Sequence, residues 1–328
     1  MKRVSLTGRS LLKLSDLTER ELAHLLDLAA RLKRKKQRGV RGNLLARKNI
    51  ALIFEKASTR TRSAFTVAAV DEGGSVEFLG RHDIHLGKKE SIKDSARVLG
   101  RMFDAIQFRG YRQETVEQLA RYAGVPVWNG LTDEAHPTQA LADLMTMREQ
   151  FGRLKGLKVV YLGDGRNNVC RSLMMGCAMT GAHFVNCTPA CLAHGAAQLA
   201  DIRAAARRSG GTVFLEPDPA RAVAGANVLY TDVWVSMGEE AKFAERLALL
   251  KPYQVTLDLV RRTGNLETGA VIFLHCLPAF HNRETELTRD LGALEVTDEV
   301  FEAPFSKVFD QAENRMHTIK ALMVATLT

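Results

Sequence analysis

The sequence predicts an α/β protein of two doubly wound domains, each with a mainly parallel sheet flanked by helices, joined by interdomain helices. Three observations predict it. Short apolar runs alternate with amphipathic segments along nearly the whole chain, the pattern of buried parallel strands linked by crossover helices. The length of 328 residues suggests about two domains. Polar residues able to do chemistry recur just after the apolar runs, where ligands bind in open parallel sheets.

The chain opens with a capping box, Thr18 to Glu21, which starts an amphipathic helix to Gln37. Its basic end, Arg31 to Arg38, contributes to a net charge of +9. Lysine and arginine favour helix C-termini. No aromatic residues interleave with the run, so single-stranded nucleic acid has no stacking platform there and no nucleic-acid partner is expected.

Ile50–Phe54 reads as a strand and Ser63–Val70 as a helix packed on both sides. Between them lies Ser58-Thr59-Arg60-Thr61-Arg62. A helix start presents unpaired N–H groups and a positive dipole end, which suits a dianion. Arg60 adds a fork-shaped cation, whereas Arg62 is expected to pair within the protein. An ordinary N-cap beside solvated arginines explains the stretch equally well. A strand at 75–79, a polar loop at 80–89, a helix at 91–102 and a strand at 104–109 follow. Arg109 ends that strand. A helix at 113–122, a strand at 125–128 and an Asn129-Gly130 turn complete the first set.

His136-Pro137-Thr138-Gln139 starts a long helix to about Phe151, with Pro137 suited to its first turn. His136 and Gln139 share a face. They can hold a small carbonyl group with its amide, or simply cap a polar hinge. A first domain over 1–150 and a second over 151–309 are expected, with a terminal helix at about 310–328 packing back on the first.

The second set holds strands at 157–162, 182–187, 212–215, 227–230 and 270–274, with helices at about 169–179, 239–250 and 311–327. Gly163-Asp164-Gly165 after the first of these strands invites a nicotinamide-dinucleotide reading. Asn168 occupies the position of the third glycine, which leaves an oxidoreductase as a weak alternative and a plain tight turn as the better one. Asn168, Asp232, Ser236 and Cys276 all follow strand ends. Asp232 can pair with an ammonium and Asn168 with a carboxylate, the needs of a free amino acid. Singly, Asp232 could be an N-cap and Cys276 a small buried hydrophobe. An anion site in one domain and an amino-acid site in the other point to group transfer in a cleft between them.

Composition bounds the rest. No apolar run approaches the roughly twenty residues that span a bilayer, so no membrane is expected. The five cysteines include no framework spacing, which argues for a reduced, cytoplasmic protein. Cys187 and Cys191 lack the partners of a zinc site, and metal is discarded there.

Several motifs together closely resemble the ornithine branch of the aspartate/ornithine carbamoyltransferase family. They are Ser-Thr-Arg-Thr-Arg at 58–62, Phe-Arg-Gly at 108–110, His-Pro-Thr-Gln at 136–139, Gly-Asp-Gly-Arg-Asn-Asn at 163–168, Asp-x-x-x-Ser-Met-Gly at 232–238, His-Cys-Leu-Pro at 275–278 and Glu-Asn-Arg-Met-His at 313–317. The resemblance implies that Ser58, Thr59, Arg60, Thr61 and Arg109 hold the phosphate of carbamoyl phosphate. His136, Gln139 and Arg315 would hold and polarise the carbamoyl group, with the carbonyls of Cys276 and Leu277 on its amide. Asn168, Asp232, Ser236 and Met237 would bind L-ornithine, with Cys276 near the δ-amine. The catalytic set would be Arg60, His136, Cys276 and Arg315, with no metal or organic cofactor. The family forms trimers or assemblies of trimers whose active sites are completed by a neighbour's loop near 80–90. Here that loop reads His85-Leu86-Gly87 where the family usually has glutamine before its glycine. His85 would face the phosphate from the neighbouring subunit or act as a neutral spacer. The implied reaction gives L-citrulline and phosphate, in arginine biosynthesis or arginine catabolism.

Overall fold

The computed structural model describes residues 4–87, 89–235 and 242–328. The chain divides into two compact units, Met1–Met145 with Glu313–Thr328, and Thr146–Ala312. The divisions fall within Pro137–Phe151 and Val308–Leu327.

The first unit begins with α1 (Glu19–Gln37), whose Thr18–Glu21 capping box forms in both directions. Strand β1 (Asn49–Phe54) leads into α2 (Thr59–Asp71), then β2 (Ser75–Gly80), α3 (Ile92–Met102), β3 (Ala105–Arg109), α4 (Gln113–Ala123) and β4 (Val127–Leu131). The sheet order is β2-β1-β3-β4, and every pairing in it is parallel. The chain crosses outward from β1 to β2, then back past β1 to β3 and on to β4. The carboxyl ends of β1 and β3 therefore flank the switch point at which such sheets bind ligands. Ile53, Ile106, Phe108, Val116 and Leu119 fill one face of the sheet. On the other, Phe65 stacks on Trp128 at 6.1 Å. The C-terminal helix (Val308–Leu327) docks there through a hydrogen bond from Trp128 Nε1 to Thr326 Oγ1.

Two local expectations change. Asn129 and Gly130 are not a turn but the middle of β4. The Asn129 N–H donates to the Leu11 carbonyl, and its side chain donates to the Leu12 carbonyl. These long-range bonds satisfy the groups that a local Asn-Gly turn would have used. Helix α2 begins at Thr59, within the motif, and buries one side only: Val67 and Val70 are exposed.

Helix α5 (Pro137–Phe151) is buried through Met147, its polar side chains Thr138, Gln139, Asp143 and Thr146 included, the mark of a helix packed all round. The second unit continues with β5 (Lys158–Leu162), α6 (Asn168–Thr180), β6 (His183–Cys187), α7 (Ala200–Ser209), β7 (Thr212–Leu215), α8 (Pro219–Val223), β8 (Val228–Thr231), α9 (Phe243–Leu250) and β9 (Ile272–His275). Its sheet order is β7-β6-β5-β8-β9, again all parallel. The switch point lies between β5 and β8. Val160, Leu162, Leu229, Phe273 and Val296 belong to its core. The helix expected from residue 239 is described from Phe243, and its first residues lie outside the described ones.

Candidate active site

The first unit assembles a cationic half-site at the β1/β3 switch point. Ser58 caps α2: its Oγ accepts from the Thr61 N–H at 3.1 Å. This places Thr59, Arg60 and Thr61 on the first turn, at the positive end of the helix. Thr61 is fully buried. Its Oγ1 accepts from Arg109 Nη1 at 3.3 Å and from Arg315 Nη2 at 2.9 Å. One hydroxyl thus joins the end of β3 to the C-terminal helix. Arg315 Nη2 also lies 3.4 Å from Thr138 Oγ1, which is 3.4 Å from His136 Nδ1. Arg109, His136, Gln139 and Arg315 are all buried.

Burial, with charge behind it, decides the state of His136. Burial first, and then the guanidiniums of Arg315, Arg109 and Arg60, hold its pKa well below the usual imidazole range. The ring is neutral at working pH. A neutral imidazole can donate one hydrogen bond to a carbonyl oxygen without adding a fourth positive charge. Gln139 Nε2 donates to Asp143 Oδ1 at 2.8 Å, which leaves Oε1 as the acceptor for an amide. Arg62 is exposed and lies over the Phe78 ring, 3.8 Å from its centroid, which uses it within the protein. His85 is exposed, and among the described residues its ring has no hydrogen-bonded partner.

The second unit builds an acidic counterpart at the β5/β8 switch point. Asp232 follows β8 and is buried. Burial pushes its pKa up to about 7, opposed by His275, the Val233 N–H and the Asn167 side chain, while Glu295 adds to the rise. A carboxyl so poised responds to a ligand cation placed beside it. Next to it, His275 and Glu295 form a fully buried pair, Nε2 to Oε1 at 3.0 Å. Glu295 Oε1 also accepts from the Phe280 N–H at 2.6 Å, and the His275 N–H donates to Gln311 Oε1 at 3.0 Å. Cys276 is buried beside them, and the Leu277–Pro278 peptide is cis. Asn168 is the first residue of α6. Ser236 and Met237 lie outside the described residues.

The Gly163–Gly165 turn is not shaped for a dinucleotide. The Gly165 N–H is taken by Thr188 Oγ1 at 3.0 Å, Arg166 N–H by Asp164 Oδ1, and Val169 N–H by Asn167 Oδ1. A Cβ on Gly165 would stand 2.5 Å from Asn186 Nδ2. The glycine serves close packing inside the protein, and the amides a pyrophosphate would need are already used. The basic run at the end of α1 is also partly internal: Lys33 donates to Asn314 and Lys36 to Asp71.

Asn167, Thr138 and Glu295 are site residues that the sequence reading did not single out. Asn167 carries the cap of α6 and also reaches Asp232. A signal for Glu295 exists, an acid set between Leu294 and Val296 in an apolar run. Its partner lies 20 residues away, which no local pattern shows.

Residues 9–149 match the model of the aspartate/ornithine carbamoyltransferase carbamoyl-P binding domain, and residues 155–326 that of the Asp/Orn binding domain. The chain is 57% identical over 330 residues to a catabolic ornithine carbamoyltransferase of Bacillus licheniformis, covering 99% of this chain and 98% of that one. It is 56% identical over 326 residues to an ornithine carbamoyltransferase of Streptococcus pneumoniae, covering 98% and 96%. The structure of ornithine carbamoyltransferase from Pyrococcus furiosus matches with a TM-score of 0.91 at 44% identity, covering 99% of both chains. That from Gloeobacter violaceus matches at 0.83 and 42%, covering 98% and 99%. The chain belongs to the aspartate/ornithine carbamoyltransferase family.

Proposed function

We infer that the chain transfers the carbamoyl group of carbamoyl phosphate to the δ-amine of L-ornithine, giving L-citrulline and phosphate. The observation that carries this reading is the cluster of Arg60, Arg109 and Arg315 around a neutral His136, joined through Thr61 and Thr138. The guanidiniums of Arg60 and Arg109 and a helix N-terminus match a phosphate dianion. A neutral imidazole and a glutamine carbonyl match the oxygen and the amide of a carbamoyl group.

In this reading Ser58, Thr59, Arg60, Thr61 and Arg109 hold the phosphate. His136, Arg315 and Arg60 face the carbonyl oxygen, and Gln139 with the carbonyls of Cys276 and Leu277 takes the amide. Asp232 holds an ammonium of ornithine, supported by Asn167. Asn168, with Ser236 and Met237, completes the amino-acid contacts, and Cys276 adjoins the δ-amine.

The chemistry is a charge problem. The δ-ammonium has no lone pair, so it gives up a proton before it attacks. A nitrogen–carbon bond then forms as the carbonyl becomes a tetrahedral oxyanion, which Arg60, His136 and Arg315 stabilise. Preorganised donors of this kind supply the largest share of many rate enhancements. The carbon–oxygen bond to phosphate breaks next, and the second proton of the attacking nitrogen leaves with the phosphate. The leaving phosphate keeps the guanidinium partners it had in the ground state. The buried His275–Glu295 pair fixes the segment that carries Cys276 and biases the charge on Asp232. Arginine biosynthesis and arginine catabolism both use this reaction.

The same reading makes the protein a cytoplasmic homotrimer or an assembly of trimers. Apolar side chains that α2 and α3 leave exposed, Val67, Val70, Val98 and Met102, support a subunit interface on the first unit. The exposed His85 suits a loop that serves a neighbouring subunit's phosphate. Five free cysteines, four of them buried, support a reducing compartment. Among the described residues no helix is long and apolar enough to cross a membrane.

Acceptor choice tests the reading. With carbamoyl phosphate supplied, ornithine should give citrulline, while aspartate and putrescine give no carbamoylated product at comparable rates. Preference for aspartate would move the chain to the other branch of its family.

A further inference from the structure

The geometry points to a divalent-metal site on the second unit, formed by His281, Asp298 and Glu302 and separate from both half-sites. One ligand atom from each residue lies within 4.8 Å of the other two. His281 Nδ1 already meets Asp298 Oδ1 at 2.6 Å. Asp298 opens a short helix, Asp298–Phe301, and Glu302 caps its end. The two carboxylates are four residues apart and share one face. The imidazole stacks on Phe301, with ring centroids 3.7 Å apart and planes within 11°. That packing holds its nitrogen towards the acids.

Two carboxylates placed i and i+4 repel each other mildly, so a cation between them turns a local cost into a gain. One imidazole nitrogen and two carboxylate oxygens suit zinc, cobalt or manganese. The His281 side chain is only 16% exposed while that of Asp298 is 57% exposed, so a ring anchored in the protein meets ligands open to water. Water molecules would complete the coordination. The metal takes the place of the hydrogen between His281 Nδ1 and Asp298 Oδ1, and the imidazole keeps its hydrogen on Nε2. The site adjoins the functional segment: Phe280, next to His281, donates its N–H to Glu295, the partner of His275. A bound ion would therefore clamp the far end of the loop that begins at Cys276.

The test is calorimetric titration of full-length, chelator-treated protein with Zn²⁺ and Co²⁺. Cys276 and the exposed Cys191 are competing thiols, so it is run with C191S and C276S in place. The expected result is one equivalent bound. His281→Ala and Glu302→Gln should each weaken it at least about tenfold. Glu302→Gln changes an exposed helix end, so it reports on ligation even where His281→Ala disturbs folding. A zinc-dependent rise in melting temperature should be present without E302Q and absent with it. Unchanged affinity in both variants, or binding that disappears when the two thiols are replaced, would overturn the proposal.

Discussion

Thr61 ties the cationic half-site together. Its hydroxyl accepts from two buried guanidiniums, Arg109 and Arg315. Thr61→Val keeps the shape and removes the acceptor, and should destabilise the protein by about 1–3 kcal/mol. Thr61→Ser should restore most of that, as thermal melts of the two variants would show. Arg60 is only half-buried, so Arg60→Ala should leave the circular-dichroism spectrum intact. Its kcat should fall about 10²- to 10³-fold. Asp232→Asn should raise the KM for ornithine about 10- to 100-fold with little change for carbamoyl phosphate. The two carboxyl states of Asp232 also set a pH dependence. Its pKa is raised in the folded protein, to about 7 from 3.8. The stability it contributes is therefore full below about pH 3.8 and lost as pH rises towards 7. D232N removes that loss, so its melting temperature relative to that of the unmodified protein should increase between pH 5 and 8. Ornithine capture needs the ionised form, so kcat/KM for ornithine should climb near pH 7 on a limb that D232N lacks. His136 has the opposite sign: its pKa is depressed, so its contribution is present above about 6.5 and lost as pH falls.

At the scale of elements, most of the architecture was legible because its signals are local. The Thr18–Glu21 box, the apolar strands and the Ser58 cap each depend on residues within a few positions of one another. What failed was decided at a distance. Asn129-Gly130 carries a strong turn signal, yet bonds from Asn129 to Leu11 and Leu12 hold it in β4. The His275–Glu295 pair depends on two segments that meet only after folding. Asn167 and Asn168 are adjacent and chemically identical, and only the geometry of the α6 start shows that Asn167 reaches Asp232. Arg315 was identified by resemblance, since an arginine in a mostly apolar helix carries no address for its partners. Packing between α3 and α4 gives a test at this scale. A Cβ on Gly100 would stand 1.8 Å from the backbone oxygen of Ala123. Gly100→Ala must push the helices apart. It should cost about 1–3 kcal/mol, seen as a lower melting temperature, although Gly100 touches neither half-site.

On the scale of the whole molecule, each unit is a doubly wound parallel sheet with its polar residues gathered at the switch point. One gathers cations and the other an acid, which divides the work between a phosphate-bearing donor and an amino acid. The trimer reading predicts a solution mass of about three times the chain mass of 36.3 kDa, or a multiple of that. Sedimentation that gives one chain mass at working concentration would contradict it. The central claim is that this chain moves a carbamoyl group between these two ligands. It is tested most directly by measuring citrulline and phosphate together, from purified protein given carbamoyl phosphate and L-ornithine. The expected result is equal amounts of the two products, formed in step and suppressed together in R60A. Phosphate without citrulline, or citrulline at undiminished rate in R60A, would contradict it.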